Sequence, residues 1–146
     1  MCTSIYFVDF DDTICLHSAS INCNKFVNGG NPYTNSVPCS VLAEYLSRQK
    51  VKGARVVLLT TSSSYMLEHK KKWCEENFPG LFDDFVGLSI DCTKGQYMQS
   101  YLEQIPNEYA EFIDNSREER AEATKVKGLV VRSPQMVLQK EIINTL

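Results

Sequence analysis

The sequence predicts an α/β protein, a three-layer α/β/α sandwich built on a mainly parallel sheet of five strands. Short apolar segments alternate along the chain with longer segments in which apolar residues recur at helical spacing. This alternation is typical of a parallel sheet with helices on both faces. Few polar residues alternate within the apolar segments, which indicates strands buried on both sides. We expect one domain, residues 1–146, because no repeat or low-complexity segment interrupts the pattern.

Turn and capping residues delimit the predicted elements. Strands are predicted at residues 5–8, 54–59, 85–90, 109–113 and 128–131. Helices are predicted from Pro38 to Lys50, from a serine cap at 62–64 to Asn77, from a cap at Asp91 or Thr93 to Ile105, from a cap at Ser116 to Lys125, and from Ser133 to Ile143. In the second helix, Trp73 and Cys74 are expected to face inward and Lys70–Lys72 mostly outward. This order of elements indicates a Rossmann-like sheet.

A polar, irregular segment, residues 15–37, follows the first strand. Its Gly-Gly and Asn-Pro pairs are turn signals, and a short hairpin is expected around residues 25–34. Loops this long in compact domains are usually functional. The segment is therefore predicted to be a flap over whatever site lies at the end of the first strand.

Composition narrows the classes of function. The formal net charge is −3 and the pI is near 5.4, which argues against a generic nucleic-acid or membrane binder. The chain has no basic-then-apolar leader and no apolar run of the roughly 18 residues that a membrane span needs. Six cysteines are scattered without a Cys-x-x-Cys pair, which excludes zinc-ribbon and thioredoxin-like spacing. We expect a cytoplasmic protein with reduced thiols and no membrane partner.

Three carboxylates, Asp9, Asp11 and Asp12, follow the first strand within four positions. Ligands of open α/β sheets bind at the carboxyl ends of the strands. Crowded carboxylates repel one another, so they require solvent exposure, a shared proton or a bound cation. Their oxygens are hard ligands that favour Mg²⁺ or Ca²⁺.

Other polar groups are predicted at the same edge of the sheet: Thr60 after the second strand, Lys94 at the start of the third helix, and Asp114-Asn115 after the fourth strand. Together these types suit phosphoryl transfer. One carboxylate can attack phosphorus and a second can move protons. A hydroxyl and an ammonium can hold the phosphate oxygens, and further carboxylates can hold a metal.

These motifs resemble the haloacid dehalogenase (HAD) superfamily of phosphohydrolases. Residues 8–14 match the first motif, Asp-x-Asp-x-Thr, which implies that Asp9 is the nucleophile and Asp11 the general acid/base, and that both help to bind the metal. Residues 56–60 match the second motif and imply Thr60 as a phosphate ligand, with Thr61 as the alternate register. Lys94 fits the third motif, which implies catalytic and phosphate-binding roles. Residues 112–115 resemble the fourth motif and imply Asp114 as a metal ligand.

The fourth motif departs from the family pattern. Asn115 replaces the usual second acid, while Glu118 stands four residues after Asp114. Both remain candidates for supporting the metal, which the family implies is Mg²⁺. Members of the family often carry a cap domain after the first motif or after the third. The segments at these two places are too short for one here, so the chain resembles a capless member with residues 15–37 as its flap.

The leading functional prediction is a hydrolase, a Mg²⁺-dependent phosphomonoesterase that works through an aspartyl-phosphate intermediate. Its substrate is a phosphate ester; a nucleotide or a nucleic-acid end is favoured because the site is open and Lys70–Lys72 form a small basic patch. The alternatives left open are a phosphoprotein phosphatase, a receiver-like phospho-Asp signalling domain and a non-catalytic module. Capless members also close their sites by forming oligomers, so an oligomer stays open too.

Overall fold

A computed structural model describes residues 3–17 and 32–145. Its strands, in chain order, are β1 (Thr3–Val8), β2 (Cys15–Leu16), β3 (Val37–Pro38), β4 (Arg55–Thr61), β5 (Asp84–Leu88), β6 (Asn107–Ile113) and β7 (Leu129–Arg132). Five of them form one sheet in the order β5-β4-β1-β6-β7, and every neighbouring pair in it is parallel. The strand β1 lies at its centre, as the unbroken apolar run at residues 5–8 predicts.

The described residues form five helices: α1 (Ser40–Val51), α2 (Ser64–Asn77), α3 (Lys94–Gln104), α4 (Arg117–Ala123) and α5 (Pro134–Thr145). Side chains from α1, α2 and α5 pack with Tyr6 and Val8 in one hydrophobic cluster. Side chains from α3 and α4 pack with Ile5 and Phe7 in a second cluster. Successive β1 residues thus point to opposite faces, as strand geometry requires. The predicted three-layer α/β/α fold is confirmed.

The start of the first helix differs from the prediction. Pro38 does not open that helix, because it pairs with Cys15 in the two-stranded antiparallel sheet formed by β2 and β3. Proline has no N–H to donate and is tolerated in such a short edge strand. The helix begins at Ser40 instead, after Cys39.

The strands β2 and β3 are the base of the segment predicted to be a flap. Most of the hairpin expected around residues 25–34 lies outside the described residues. Among the residues that are described, no helix is long and apolar enough to cross a membrane. That residues 1–146 make up a single domain stays a prediction.

Candidate active site

The register of the sheet brings the predicted site residues to one edge. Val8, the last residue of β1, pairs with Leu58 of β4 on one side and with Ile113 of β6 on the other. The residues that follow therefore emerge together. Asp9 is tied directly to β6, because its N–H donates to the Ile113 carbonyl at 3.0 Å.

Lys94 lies between two buried carboxylates. Its Nζ donates to Asp9 Oδ1 at 2.9 Å and to Asp114 Oδ2 at 2.8 Å. Lys94 is 5% exposed, Asp9 7% and Asp114 0%. A buried charge is tolerated only when it is paired and hydrogen-bonded, so these three side chains depend on one another.

The remaining oxygens of the two carboxylates also have partners. Thr13 Oγ1 lies 3.0 Å from Asp9 Oδ2 and 3.1 Å from Asn115 Oδ1. The backbone N–H of Ser116 donates to Asp114 Oδ1 at 2.8 Å. Both carboxylates are therefore fixed in orientation by groups on two different strand ends.

The pKa values of Asp9 and Lys94 are both shifted from their ordinary values. Burial, together with the neighbouring Asp114, raises the pKa of Asp9 to about 6, although the Lys94 ammonium opposes that rise. Burial lowers the pKa of Lys94, but the two carboxylates outweigh that effect and the net shift is upward. Near neutral pH, Asp9 is mostly ionised and Lys94 is charged.

Asp11 has a different environment from Asp9. Its side chain is 47% exposed, and its two oxygens contact different partners. Oδ1 lies 2.7 Å from His17 Nε2, and Oδ2 accepts a hydrogen bond from Lys70 Nζ at 3.0 Å. The other ring nitrogen of His17 lies 3.1 Å from Ser36 Oγ. Asp11 is therefore linked through His17 to Ser36, the residue just before β3.

Lys70 does not face outward, and that prediction was wrong. It is 3% exposed, and its Nζ donates to Thr60 Oγ1 at 2.7 Å as well as to Asp11. Lys70 precedes the buried Trp73 and Cys74 by three and four residues, so it lies on the same face of α2. That spacing was visible in the sequence, but the neighbouring Lys71 and Lys72 made the run look like a solvated helix surface.

The alternative candidates, Asn115 or Glu118 and Thr60 or Thr61, differ in their burial and hydrogen bonds. Asn115 donates its backbone N–H to Thr13 Oγ1 at 3.1 Å and so belongs to the network around Asp9. Glu118 is exposed and accepts from Ser116 Oγ at 3.3 Å, a contact that stays within the first turn of α4. Thr61 is exposed, whereas Thr60 is buried. Among the described residues, hydrogen bonds therefore link Asn115 to Asp9 through Thr13, and Thr60 to Asp11 through Lys70, whereas Thr61 and Glu118 have no such link to Asp9 or Asp11.

The start of α3 fixes the position of Lys94. Thr93 caps the helix in a reciprocal capping box with Gln96. Glu122 of α4 accepts from Thr93 Oγ1 at 2.9 Å and from the Gly95 N–H at 3.0 Å. A Cβ atom at residue 95 would collide with the Glu122 carboxylate, so a larger residue there would displace that carboxylate from its two donors.

No cluster of three or more His, Cys, Asp or Glu side chains suited to a metal occurs within residues 3–17 and 32–145. Asp9 and Asp114 supply two carboxylates, and both already bind one cation, the Lys94 ammonium. Their oxygens are of the hard type that Mg²⁺ prefers. The donor chemistry fits Mg²⁺, provided that backbone oxygen or water completes the ligand set.

Solved structures of known proteins share this fold. No protein-family model and no curated protein matches the chain. A HAD-like hydrolase from Streptococcus pneumoniae has a TM-score of 0.58 and 12% identity, over 95% of this chain and 98% of that one. A phosphatase-domain fragment from Bacteroides fragilis, solved with Mg, has a TM-score of 0.64 and 15% identity, over 90% of this chain and 36% of that one.

A chain of the Pnkp1/Rnl/Hen1 complex has a TM-score of 0.67 and 12% identity, over 90% of this chain and 46% of that one. The present chain thus spans less than half the length of this neighbour and of the Bacteroides fragment. Identities this low establish the fold alone. The chain has a HAD-like fold, as the resemblance of its motifs implied.

Proposed function

We propose that this protein is a Mg²⁺-dependent phosphomonoesterase that works through an aspartyl-phosphate intermediate. The observation that carries the proposal is the pairing of the Lys94 ammonium with Asp9 and Asp114 at the carboxyl edge of the sheet. A buried, ionised carboxylate held by a lysine is equipped to attack an anionic phosphorus centre. The similarity to solved phosphatases and hydrolases supports the same class of reaction.

In the first step, Asp9 attacks phosphorus and forms a P–O bond to its own carboxylate. The P–O bond to the leaving group breaks, and the protonated form of Asp11 gives its proton to the departing oxygen. In the second step, Asp11, now ionised, takes a proton from water, which attacks the aspartyl phosphate. Inorganic phosphate leaves and the Asp9 carboxylate is restored. Thr60 and Lys94 hold the phosphoryl oxygens in both steps.

Mg²⁺ would be held by the side chains of Asp9 and Asp114 and by the backbone carbonyl of Asp11. Bound there, it supplies positive charge that reduces the repulsion between an anionic nucleophile and an anionic ester. Asn115 supports this arrangement through Thr13, which steadies Asp9. The hydrogen bond that Glu118 accepts comes from Ser116 and not from a group on Asp114, so we assign the supporting role to Asn115.

The proposed substrate is a nucleotide or the phosphorylated end of a nucleic acid. One structural neighbour belongs to an RNA repair complex, and half of the Asp11 side chain is exposed, so a large ester can reach it. Because Lys70 is buried, only Lys71 and Lys72 remain of the predicted basic patch. Recognition of a long nucleic-acid backbone by this patch is correspondingly weaker than the sequence indicates.

Phosphate release from an aryl phosphate tests the reaction. We expect turnover by the wild type with Mg²⁺, loss of turnover in EDTA, and loss of turnover in Asp9→Asn. The matched control is Asp91→Asn, which neutralises an exposed carboxylate after β5 and should leave turnover unchanged. Activity that survives Asp9→Asn would exclude Asp9 as the nucleophile.

Two further measurements examine the intermediate and the substrate. Asp11→Asn slows the second step, so labelled phosphate should stay on the protein and be released by hydroxylamine, which cleaves acyl phosphates. A panel of nucleoside monophosphates, 5′- and 3′-phosphorylated oligonucleotides and phosphopeptides then identifies the substrate class. Preference for phosphopeptides would replace the nucleotide proposal with a phosphoprotein phosphatase.

A further inference from the structure

We infer that Lys70 is a second phosphate-binding lysine of this site, which also fixes the Thr60 hydroxyl as a donor toward the phosphoryl group. This inference rests on the proposed function, since it assigns one more ligand to the same phosphate. It concerns a residue that none of the sequence motifs includes. The contacts of Lys70, the hydrogen-bond chemistry of Thr60 and the charge balance of the site each support it.

The first support is the position of the ammonium. A lysine on an outer helix ordinarily extends its charged end into water. Lys70 does the opposite: it is 3% exposed, and its Nζ lies 5.4 Å from the centre of the Phe10 ring. Burial of an ammonium is unfavourable unless oxygen partners compensate for the lost water. The partners here are Thr60 and Asp11, both of them groups of the proposed reaction.

The second support is the direction of the hydrogen bond to Thr60. An ammonium has donors and no acceptor, so in the 2.7 Å contact Lys70 donates and Thr60 Oγ1 accepts. The hydroxyl proton of Thr60 must then point elsewhere. Within the described part of the chain, no hydrogen bond donated by Thr60 Oγ1 is found. Lys70 thereby leaves a buried hydroxyl with a donor available for a phosphoryl oxygen.

The third support is the charge balance. Lys94 is shared between two buried carboxylates, so its single positive charge is already offset by Asp9 and Asp114. Within residues 3–17 and 32–145, Lys70 has one carboxylate partner, Asp11, and that partner is half-exposed. Without Lys70, three carboxylates and one lysine would face an incoming phosphate dianion. Electrostatic repulsion of that kind weakens anion binding.

Binding of inorganic phosphate, the product, tests this inference without requiring turnover. We would titrate phosphate into the full chain with saturating Mg²⁺ by isothermal calorimetry, in wild type, Lys70→Met and Lys72→Met. Methionine keeps an unbranched apolar side chain of similar length but removes the charge that lies over the Phe10 ring. Lys72 is a matched control from the same lysine run: it is exposed, and its one ion pair within the described residues is with Glu76.

We expect Lys70→Met to raise the Kd for phosphate by about ten- to a hundredfold, the effect of losing one charge-assisted contact. Lys72→Met should stay within about twofold of wild type, since an exposed pair contributes little. If Lys70→Met does not fold, Lys70→Gln, which can still donate to Asp11, carries the same expectation. Thermal unfolding of each variant verifies that it is folded.

The outcomes separate the two proposals. If Lys70→Met, or its Gln substitute, binds phosphate as tightly as wild type, the role of Lys70 is overturned and the proposed function stands. If phosphate binds through Lys70 but no ester is hydrolysed, the proposed function is overturned and the phosphate site stands. A wild-type chain that binds no phosphate overturns the role of Lys70, and turnover of the aryl phosphate then decides the proposed function separately.

Discussion

Removing the Lys94 ammonium gives the strongest test of how the site is held together. Lys94→Met leaves Asp9 and Asp114 buried with no cation between them. Removing one partner of a buried ion pair typically costs about 3–5 kcal/mol. Because all three side chains are buried, we expect a loss of stability near the upper limit of that range. For a chain of this size, we expect the melting temperature to fall by about 10 °C or more.

The loss of stability should depend on pH. Burial already raises the pKa of Asp9 in the fold to about 6, above its ordinary value of 3.8, and Lys94 limits that rise. Without Lys94 the pKa rises further. An acid with a raised pKa favours the folded state when it is protonated, and this contribution disappears as the pH rises through the folded pKa. Lys94→Met should therefore be closest to wild type at pH 5 and least stable, relative to wild type, at pH 8.

Urea unfolding in EDTA, at pH 5 and pH 8, measures both the loss of stability in Lys94→Met and its dependence on pH. Lys72→Met is the control. Adding Mg²⁺ at pH 8 should restore part of the lost free energy of unfolding, because the cation takes over the role of the ammonium. A Lys94→Met protein as stable as wild type at pH 8 in EDTA would refute the reasoning. A deficit that is the same at pH 5 and pH 8 would contradict the role assigned to Asp9.

Two further substitutions and one alkylation experiment have defined outcomes. Thr13→Val removes the hydroxyl that holds Asp9; we expect kcat to fall about ten- to a hundredfold with little change in KM, and an unchanged kcat would contradict this. Glu111→Gln removes the charge of a buried carboxylate that pairs with the half-buried Arg132, which should lower the free energy of unfolding by about 1–3 kcal/mol in urea, whereas a change below about 0.5 kcal/mol would argue against it. Burial raises the pKa of the Cys15 thiol to about 12, so alkylation of the native chain should label the half-buried Cys92 before Cys15, and mass spectrometry reveals the order of these two.

The fold could be predicted because its strands carry an unambiguous signal. Segments such as residues 56–59 are continuous and apolar, with the β-branched Val56 and Val57, and the structure places them in the sheet within one or two residues of the predicted limits. Helix limits were accurate where a side chain caps them, as Ser63 does for α2 and Ser116 for α4. Pro38 was misassigned because a proline after a loop suits a helix start as well as an edge strand, and only the pairing with Cys15 decides.

The site was predictable where a motif follows a strand. Asp9, Thr60 and Asp114 each follow or end a buried strand, so the sheet alone brings them together. Lys70 and His17 were not assigned to the site, because their roles depend on the rotation of α2 and on the path of the chain after Asp12. These are tertiary features that local spacing describes only in part. The catalytic roles of all these residues stay predictions until the variants are measured.

The partners in this site come from distant parts of the chain, and this bears on the order of events during folding. Lys94 and Asp9 are 85 residues apart, and Thr13 and Asn115 are 102 apart. Closing such long loops is entropically costly and slow compared with forming a helix. We expect the helical circular dichroism signal to recover during refolding before activity does. A newly made chain would carry unpaired carboxylates at the end of β1 until β6 takes its place beside it.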